Sequence, residues 1–222
     1  MIIDCIADLH GHYPELEGGD LLIVVGDLTA TDTVDEHAEF AKWVQKQDYR
    51  SFILVAGNHD GFLYNGFHEG RRLGPKGRYL CDSGTEFEYL DIGSDGVTIV
   101  KRTLKIWGSP WTLTFPGINP KCTAFTGTES QLREKFDLIP DDIDILITHG
   151  PMKGILDRSV RGEECGSLQL ILATYKSKMK LHVFGHIHES YGKLIDGPLT
   201  HINCSHVNEH YEPVNKPIRI IL

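Results

Sequence analysis

The sequence predicts an α/β protein in which two β-sheets pack on each other and helices flank them. Short runs rich in Ile, Leu and Val each stop at a polar cluster, which is typical of buried strands. Capping signals followed by apolar residues at helical spacing lie between these runs. Further strand-like runs, joined by Gly and Asp turns, occupy the middle and the end of the chain, and they favour a second, more antiparallel sheet.

Five apolar runs share the same form and end at Asp, Asn or His. They are MIIDCIADLH (1–10), DLLIVVGD (20–27), SFILVAGNHD (51–60), IDILITHG (143–150) and KLHVFGHIH (180–188). Their alternation with helices implies βαβ units around a buried central sheet. Because ligands bind beyond the carboxyl ends of the strands in open α/β sheets, we expect the five polar ends to meet there.

Three segments are predicted to be helical. Residues 33–36 and 128–131 have the capping-box form, and apolar residues at helical spacing follow each of them. The run at 168–178 is predicted to form a third helix that is buried on one face. The remaining strand candidates are TEFEYLDIG (85–93), GVTIVKRTLKIWGS (96–109), YGKLID (191–196), LTHINCS (199–205) and PIRIIL (217–222).

The composition is that of an ordinary globular protein, with 41% apolar and 24% charged residues over 222 positions, and we expect a single domain over 1–222. Five cysteines without a CxxC pair argue against a disulfide framework and against a thiolate zinc site. A net charge of -9 predicts weak attraction to nucleic acid. No run is long enough to span a bilayer and residues 1–10 lack signal-peptide features, so we expect a cytoplasmic protein.

Seven oxygen or imidazole donors end the five runs: Asp8, His10, Asp27, Asn58, His149, His186 and His188. Any one of them alone is more often a helix cap or a turn former. Together they suit divalent ions such as Mn, Fe, Zn, Co or Mg. In the DxH and HxH patterns the two donors would project to one face of an extended segment. Seven donors exceed the need of one tetrahedral ion, so we predict two metals, with Asp27 as the best candidate for a bridge.

The blocks DLH, GD, GNHD, THGP and GHIH, in this order, resemble the five signature blocks of the calcineurin-like metallophosphoesterases. This resemblance implies the metallophosphoesterase fold, a four-layer αββα sandwich of two mixed β-sheets flanked by helices. A narrower similarity, to the metallophosphoesterase-domain-containing family related to class III cyclic-nucleotide phosphodiesterases, covers GSPWTLTF (108–115), THGPMKGILDR (148–158), VFGHIHESYG (183–192) and INCSHVNEHYEPVNKPI (202–218).

The resemblance also implies roles for individual residues. It assigns Asp8, His10 and His188 to one metal, Asn58, His149 and His186 to the other, and Asp27 to both. It favours Mn as the ion, with Fe, Zn, Co, Ni or Mg as alternatives, and a bridging hydroxide as the nucleophile. His59 matches a histidine that faces the substrate and would act as general acid. Asp60 either orients His59 or only ends the turn, and the sequence leaves both open.

The expected reaction is hydrolysis of a phosphodiester bond. The expected substrate is a small phosphoester or a nucleotide, including cyclic nucleotides. His206 and Arg158 are candidate substrate contacts, although solvent exposure is an equal alternative for Arg158. A phosphomonoesterase or protein phosphatase is the main alternative, but the second block reads GDLTATD and lacks the arginine of GDxxDRG. A nuclease and a non-catalytic binding module are less favoured. Substrate choice is expected to depend on the loops at 61–78, 109–127 and 151–166.

Overall fold

The computed structural model describes residues 1–66, 73–115 and 120–222. Residues 67–72 and 116–119, which belong to two of the loops expected to set substrate choice, lie outside the described residues. The strands are β1 (Ile2–Ala7), β2 (Gly19–Val25), β3 (Tyr49–Val55), β4 (Gly77–Tyr79), β5 (Ser83–Ile92), β6 (Ile99–Ser109), β7 (Thr112–Leu113), β8 (Thr126–Gly127), β9 (Ile145–Thr148), β10 (Leu181–Phe184), β11 (Gly192–Asp196), β12 (Leu199–Asn203) and β13 (Ile218–Ile221). The helices are α1 (Val34–Lys46), α2 (Gly61–Tyr64), α3 (Glu129–Phe136) and α4 (Leu168–Thr174).

Two large sheets contain most of these strands. The first has five strands in the order β13-β1-β2-β3-β4, and only the β1–β13 pair is antiparallel. The second has six strands in the order β11-β12-β10-β9-β6-β5, with antiparallel pairs at its two edges and parallel pairs in its centre. Both sheets are therefore mixed, and the second is the more antiparallel, as the sequence predicts.

The layers are held together by three apolar clusters. One lies between the sheets and joins side chains such as Ile23 of β2 and Val183 of β10, both completely buried. A second packs Phe40 of α1 against the other face of the first sheet. A third packs Leu132 of α3 and Leu170 of α4 against the outer face of the second sheet. This order of layers confirms the four-layer αββα arrangement.

The helix signals in the sequence mark real helix starts. The capping boxes at Thr33 and Thr128 are both formed. Each threonine side chain accepts a hydrogen bond from the backbone amide of the N3 residue, Glu36 or Gln131, whose side chain accepts one from the backbone amide of the threonine. The third helix is shorter than predicted and ends at Thr174 instead of Lys178. The amide of Lys178 donates to the carbonyl of Asp141, so the chain leaves the helical path before that point. None of the described helices is long and apolar enough to cross a membrane.

The five apolar runs do not belong to one sheet, and this corrects the sequence prediction. β1, β2 and β3 lie in the first sheet, whereas β9 and β10 form the centre of the second. The polar ends still meet, because the sheets are joined at the edge where these strands end. There the amide of Ala7 donates to the carbonyl of Cys204 (2.8 Å), and the amide of His206 donates to the carbonyl of Ala7 (2.7 Å).

Candidate metal centre

The seven predicted ligands lie on the turns that directly follow β1, β2, β3, β9 and β10. Four of them have left-handed backbone conformations, with φ of 51° at Asp8, 42° at His10, 51° at Asp27 and 71° at His186. The expectation that each DxH or HxH pair lies on an extended segment is therefore wrong. Because the chain reverses sharply in this conformation, it turns each side chain inward toward the meeting edge of the two sheets.

Glycines make room for these ligands. A Cβ atom on Gly57 would lie 2.3 Å from Asp27 Oδ1 and 2.6 Å from His149 Cε1, and one on Gly185 would lie 2.3 Å from Asp8 Oδ2. Such separations are far below van der Waals contact. The Gly of the GNHD block and the Gly of the GHIH block are therefore required by the close packing of the carboxylates, which explains why each precedes a ligand in the sequence.

Asp8, His10 and His188 offer one group of ligand atoms, all within 4.8 Å of one another. His188 Nε2 lies 3.9 Å from Asp8 Oδ1, and the rings of His10 and His188 are 5.2 Å apart. His188 Nδ1 donates to the carbonyl of Asn208 at 3.1 Å, so Nε2 is the unprotonated nitrogen that faces Asp8 in the neutral ring. A backbone acceptor of this kind is a common way to orient a metal-binding histidine.

Asp27 lies at the centre of the cluster. Its carboxylate is 3.7 Å from His10 Nε2, 3.5 Å from His149 Nε2 and 3.8 Å from His59 Nε2. His149 Nε2 also lies 2.9 Å from Asn58 Oδ1. Asp27 thus belongs to two groups of ligand atoms, one with His10 and His59 and the other with Asp8 and His149.

Four buried donor atoms of the cluster have no hydrogen-bond partner among the described residues: Asp8 Oδ1, His10 Nε2, His149 Nδ1 and His186 Nε2. An unpaired buried polar atom costs about 1–3 kcal/mol, so four in one place need an explanation. A cation provides one, because oxygen and imidazole nitrogen atoms are the ligands that borderline divalent ions prefer. The residues therefore fit a metal centre.

The protonation of the cluster agrees with this interpretation. Burial lowers the pKa of His10 to about 3 and holds that of His186 well below its usual value, so both rings are neutral and able to bind a metal. Burial disfavours charge on His149 as well, but the Asp27 and Asp8 carboxylates outweigh it and raise the pKa of His149 to about 9. A cation bound between these carboxylates would therefore displace the proton that they hold on His149.

His59 contacts the cluster through both its backbone and its ring. Its amide donates to Asp27 Oδ1 at 2.8 Å, and its ring reaches the surface, with 17% of the side chain exposed. Nε2 faces Asp27, whereas Nδ1 lies 3.3 Å from Cys122 Sγ. The ring thus presents one nitrogen to the centre from the side that solvent reaches. This is the position that a proton donor to a bound substrate requires, although the same nitrogen is also close enough to Asp27 to share a cation.

Asp60 is completely buried and holds two of the site turns together. Its carboxylate accepts from the backbone amides of Asp27 (2.9 Å), Leu28 (3.0 Å) and Gly57 (2.7 Å). Burial raises the pKa of Asp60 to about 7, and the nearby Asp27 charge adds to this effect. Of the two roles that the sequence leaves open, these contacts favour that of a residue that fixes the turns, because the carboxylate faces backbone amides and not the His59 ring.

The structure does not bring the two predicted substrate contacts into the cluster. His206 Nδ1 donates to the carbonyl of Asn215 at 2.7 Å, and Arg158 has 71% of its side chain exposed and forms an ion pair with Glu164. The neighbour of His206 contacts the cluster instead: Ser205 Oγ donates to Asp8 Oδ2 at 2.5 Å. The INCSHVN segment therefore reaches the site through Ser205 and not through His206.

Sequence reasoning also missed Cys122 and Tyr211. The Tyr211 ring lies 4.8 Å from that of His10 and 5.3 Å from that of His188, and the residue is 41% exposed at the opening of the site. Its left-handed φ of 61° turns it toward the cluster. Neither residue occurs in a sequence pattern with recognisable spacing. Cys122 is identified by its contact with His59, and Tyr211 by its contacts with His10 and His188.

The fold and the site together define a class of protein. The family model for the calcineurin-like phosphoesterases matches residues 1–190, which include all seven candidate ligands. The chain belongs to this family of metal-dependent phosphoester hydrolases.

The chain is also similar to individual proteins. Human metallophosphoesterase domain-containing protein 1 is 35% identical over 98% of this chain and 70% of its own length. UPF0046 protein T07D4.2 of Caenorhabditis elegans is 30% identical over 96% of this chain and 58% of its own length. Among solved structures, TT1561 of Thermus thermophilus superposes with a TM-score of 0.59 at 14% identity, covering 91% of this chain and 88% of that chain, and this similarity supports the fold.

Proposed function

We propose that this protein is a binuclear metal-dependent phosphodiesterase that acts on small phosphodiesters, including cyclic nucleotides. One observation carries the proposal. Four buried donor atoms of the cluster have no hydrogen-bond partner among the described residues, and Asp27 belongs to two groups of ligand atoms, one with His10 and His59 and one with Asp8 and His149. A single tetrahedral ion uses four ligands, so a set of seven donors is better matched to two ions that share one carboxylate.

The proposed ligands divide at Asp27. Asp8, His10 and His188 would hold one ion, Asn58, His149 and His186 the other, and Asp27 both. Oxygen and imidazole donors without a thiolate suit divalent ions such as Mn, Fe, Zn, Co or Mg, and of these we propose Mn. When bound, such ions lower the pKa of water and neutralise charge on phosphoryl oxygens. The described residues supply the rest of the chemistry, which is orientation of the ligands and a proton for the leaving group.

His59 is the proposed proton donor. Its Nε2 lies 3.8 Å from Asp27 Oδ2 at the open side of the cluster, where an ester oxygen of a bound phosphate would lie. A proton held at Nε2 passes to that oxygen as its bond to phosphorus breaks. A general acid of this kind contributes on the order of a hundredfold or more when the leaving group is a poor one.

The charges around the site support a diester substrate. Among the described residues, no lysine or arginine forms an ion pair with Asp8 or Asp27, and Arg158 is paired with Glu164 at the surface. A phosphomonoester carries close to two negative charges at neutral pH, whereas a phosphodiester carries one. Within the described part of the chain the cluster has no guanidinium or ammonium contact, and such an arrangement suits the diester better.

The proposal is tested by hydrolysis of bis-p-nitrophenyl phosphate, p-nitrophenyl phosphate and cyclic nucleotides in the presence of Mn. We expect faster turnover of the diesters than of the monoester and loss of activity by at least about a hundredfold in Asp27→Asn. The matched control is His210→Gln, which changes an exposed histidine outside the cluster and should retain activity. Lack of metal-dependent turnover of every substrate would contradict the enzymatic proposal, and a preference for the monoester would contradict the diester assignment.

A further inference from the structure

Cys122 contacts both the proposed proton donor and a proposed ligand. Its Sγ lies 3.3 Å from His59 Nδ1, and its backbone carbonyl accepts from Asn58 Nδ2 at 3.4 Å. The second contact turns Asn58 Oδ1 toward His149, where a ligand oxygen is needed. Cys122 therefore contacts both Asn58 and His59, two consecutive residues of the GNHD block.

The thiol decides which nitrogen of His59 carries the proton. A neutral imidazole has one N–H and one acceptor nitrogen, and the partner of each nitrogen selects the tautomer. If the Cys122 S–H donates to Nδ1, the ring proton is on Nε2, which faces Asp27. If Nδ1 instead donates to the sulfur, Nε2 presents a lone pair to the centre and has no proton to give.

Asp27 Oδ2, 3.8 Å from His59 Nε2, also favours a proton on that nitrogen, whereas two other nearby carboxylates are engaged elsewhere. The Asp60 carboxylate accepts from three backbone amides, and Asp32 Oδ1 lies 2.8 Å from His37 Nε2. Among the residues that the structure describes, Cys122 Sγ is the hydrogen-bond partner of the His59 ring. Sequence reasoning considered Asp60 for this role, and the geometry assigns it to a cysteine.

We propose that Cys122 is a positioning residue that donates its S–H to His59 Nδ1 and thereby holds the Nε2 proton toward the substrate. As Nε2 gives its proton to the leaving oxygen, Nδ1 takes the thiol proton, so the ring stays neutral and the thiolate is reprotonated from solvent. This inference rests on the proposed function of His59 as the proton donor. The geometry supports this direction, because an Nε2–H that faces Asp27 Oδ2 at 3.8 Å leaves Nδ1 as the acceptor. A thiolate would instead accept from Nδ1 and favour the other tautomer.

The first test reads the tautomer directly in the metal-free protein. Two-bond 1H–15N spectra of ¹⁵N-histidine-labelled protein distinguish an Nε2–H ring from an Nδ1–H ring. We expect His59 to be predominantly Nε2–H in the wild type and in Cys122→Ser, whose hydroxyl also donates. In Cys122→Ala the Nδ1–H form should increase at least severalfold. A wild-type ring that is mainly Nδ1–H, or one that does not respond to Cys122→Ala, would overturn the proposal.

The second test uses two diesters that differ only in their leaving group, the p-nitrophenyl and phenyl esters of thymidine monophosphate, in the presence of Mn. We expect Cys122→Ala to lower kcat for the phenyl ester about tenfold, because phenolate is the poorer leaving group and needs the proton. The p-nitrophenyl ester should lose less than about twofold, and KM should not change. Cys122→Ser should restore the Nε2–H tautomer but only part of the rate, because a hydroxyl gives up its proton less readily than a thiol.

The control variant is Cys81→Ala, which removes a half-buried thiol between β4 and β5, outside the loops expected to set substrate choice, and should leave both rates unchanged. An equal loss on both esters in Cys122→Ala would show that the residue only packs against the site, and would overturn the proposal. Lack of wild-type turnover of either ester would instead contradict the proposed function, and the tautomer measurement then decides the role of Cys122 alone.

Discussion

Ser205 Oγ donates to Asp8 Oδ2 at 2.5 Å, and this contact connects two residues that are 197 positions apart. The amide of His186 donates to the same oxygen at 2.9 Å. Together they fix one oxygen of the carboxylate and leave Oδ1, which has no hydrogen-bond partner among the described residues, directed into the candidate metal centre. The carboxylate is thus oriented by the second sheet, although it follows a strand of the first.

Removal of the Ser205 hydroxyl should weaken metal binding. In Ser205→Ala, Asp8 loses one of two hydrogen bonds that orient it, and loss of such a partner typically costs 10-fold to 100-fold in metal affinity. We therefore expect the Kd for Mn, measured by isothermal titration calorimetry, to rise at least about tenfold. Ser51→Ala, which removes a hydroxyl bonded to the carbonyl of Lys76 at the surface, should have no effect. Equal affinities of the two variants would argue against an orienting role.

Asp60 should matter for stability even without metal. Its carboxylate accepts three backbone hydrogen bonds, and the Asp60→Asn amide offers one oxygen and an NH₂ group that cannot accept. At least one buried amide would lose its partner, at a cost of about 1–3 kcal/mol. Urea unfolding in the presence of EDTA measures this loss. Asp141→Asn, an exposed substitution, is the control, and a change in Asp60→Asn as small as in that control would contradict this role.

A buried histidine pair should make the protein sensitive to acid. Thr148 Oγ1 donates to the carbonyl of Gly150 at 2.6 Å, so His182 Nε2, 2.8 Å away, must donate to Thr148. His182 Nδ1 then accepts from His201 Nδ1 at 3.3 Å. Burial holds the pKa of His182 well below 6.5, and the nearby His201 adds to this effect. His182 is therefore buried as a neutral ring.

The direction in which the free energy of unfolding changes with pH follows from proton binding to His182. Below pH 6.5 the unfolded chain protonates His182 and the folded protein does not, so the free energy of unfolding decreases as the pH falls. For one group it decreases by about 1.4 kcal/mol between pH 8 and pH 5.5. In His182→Gln this part of the pH dependence should disappear in urea unfolding at the two pH values, whereas His210→Gln should keep it. An unchanged difference in His182→Gln would show that the ring is protonated in the folded state.

Much of the fold follows from local patterns in the sequence. The five apolar runs are strands, and both capping boxes begin helices, because burial and capping depend on residues close together in the chain. The division of the runs between two sheets could not be predicted, since β9 pairs with β6 and β10 in a register that periodicity does not encode. The pattern therefore identified the strands but not their partners.

Local sequence patterns likewise predict only part of the candidate site. The ligand positions could be predicted because each ends an apolar run, but the left-handed conformation of Asp8 and Asp27 could not, since non-glycine residues rarely adopt it. Ser205 and Cys122 have no pattern of their own. They reach the site through long-range contacts, such as the bridge between Ala7 and Ser205, and only the folded chain shows them.

The central claim is that Asp27 lies between two metal ions. Anomalous X-ray diffraction from crystals soaked in Mn tests it most directly, because it locates each ion independently of activity. We predict two peaks on opposite sides of the Asp27 carboxylate, one in contact with Asp8, His10 and His188 and the other with Asn58, His149 and His186. A single peak, or two peaks that do not share Asp27, would contradict this account.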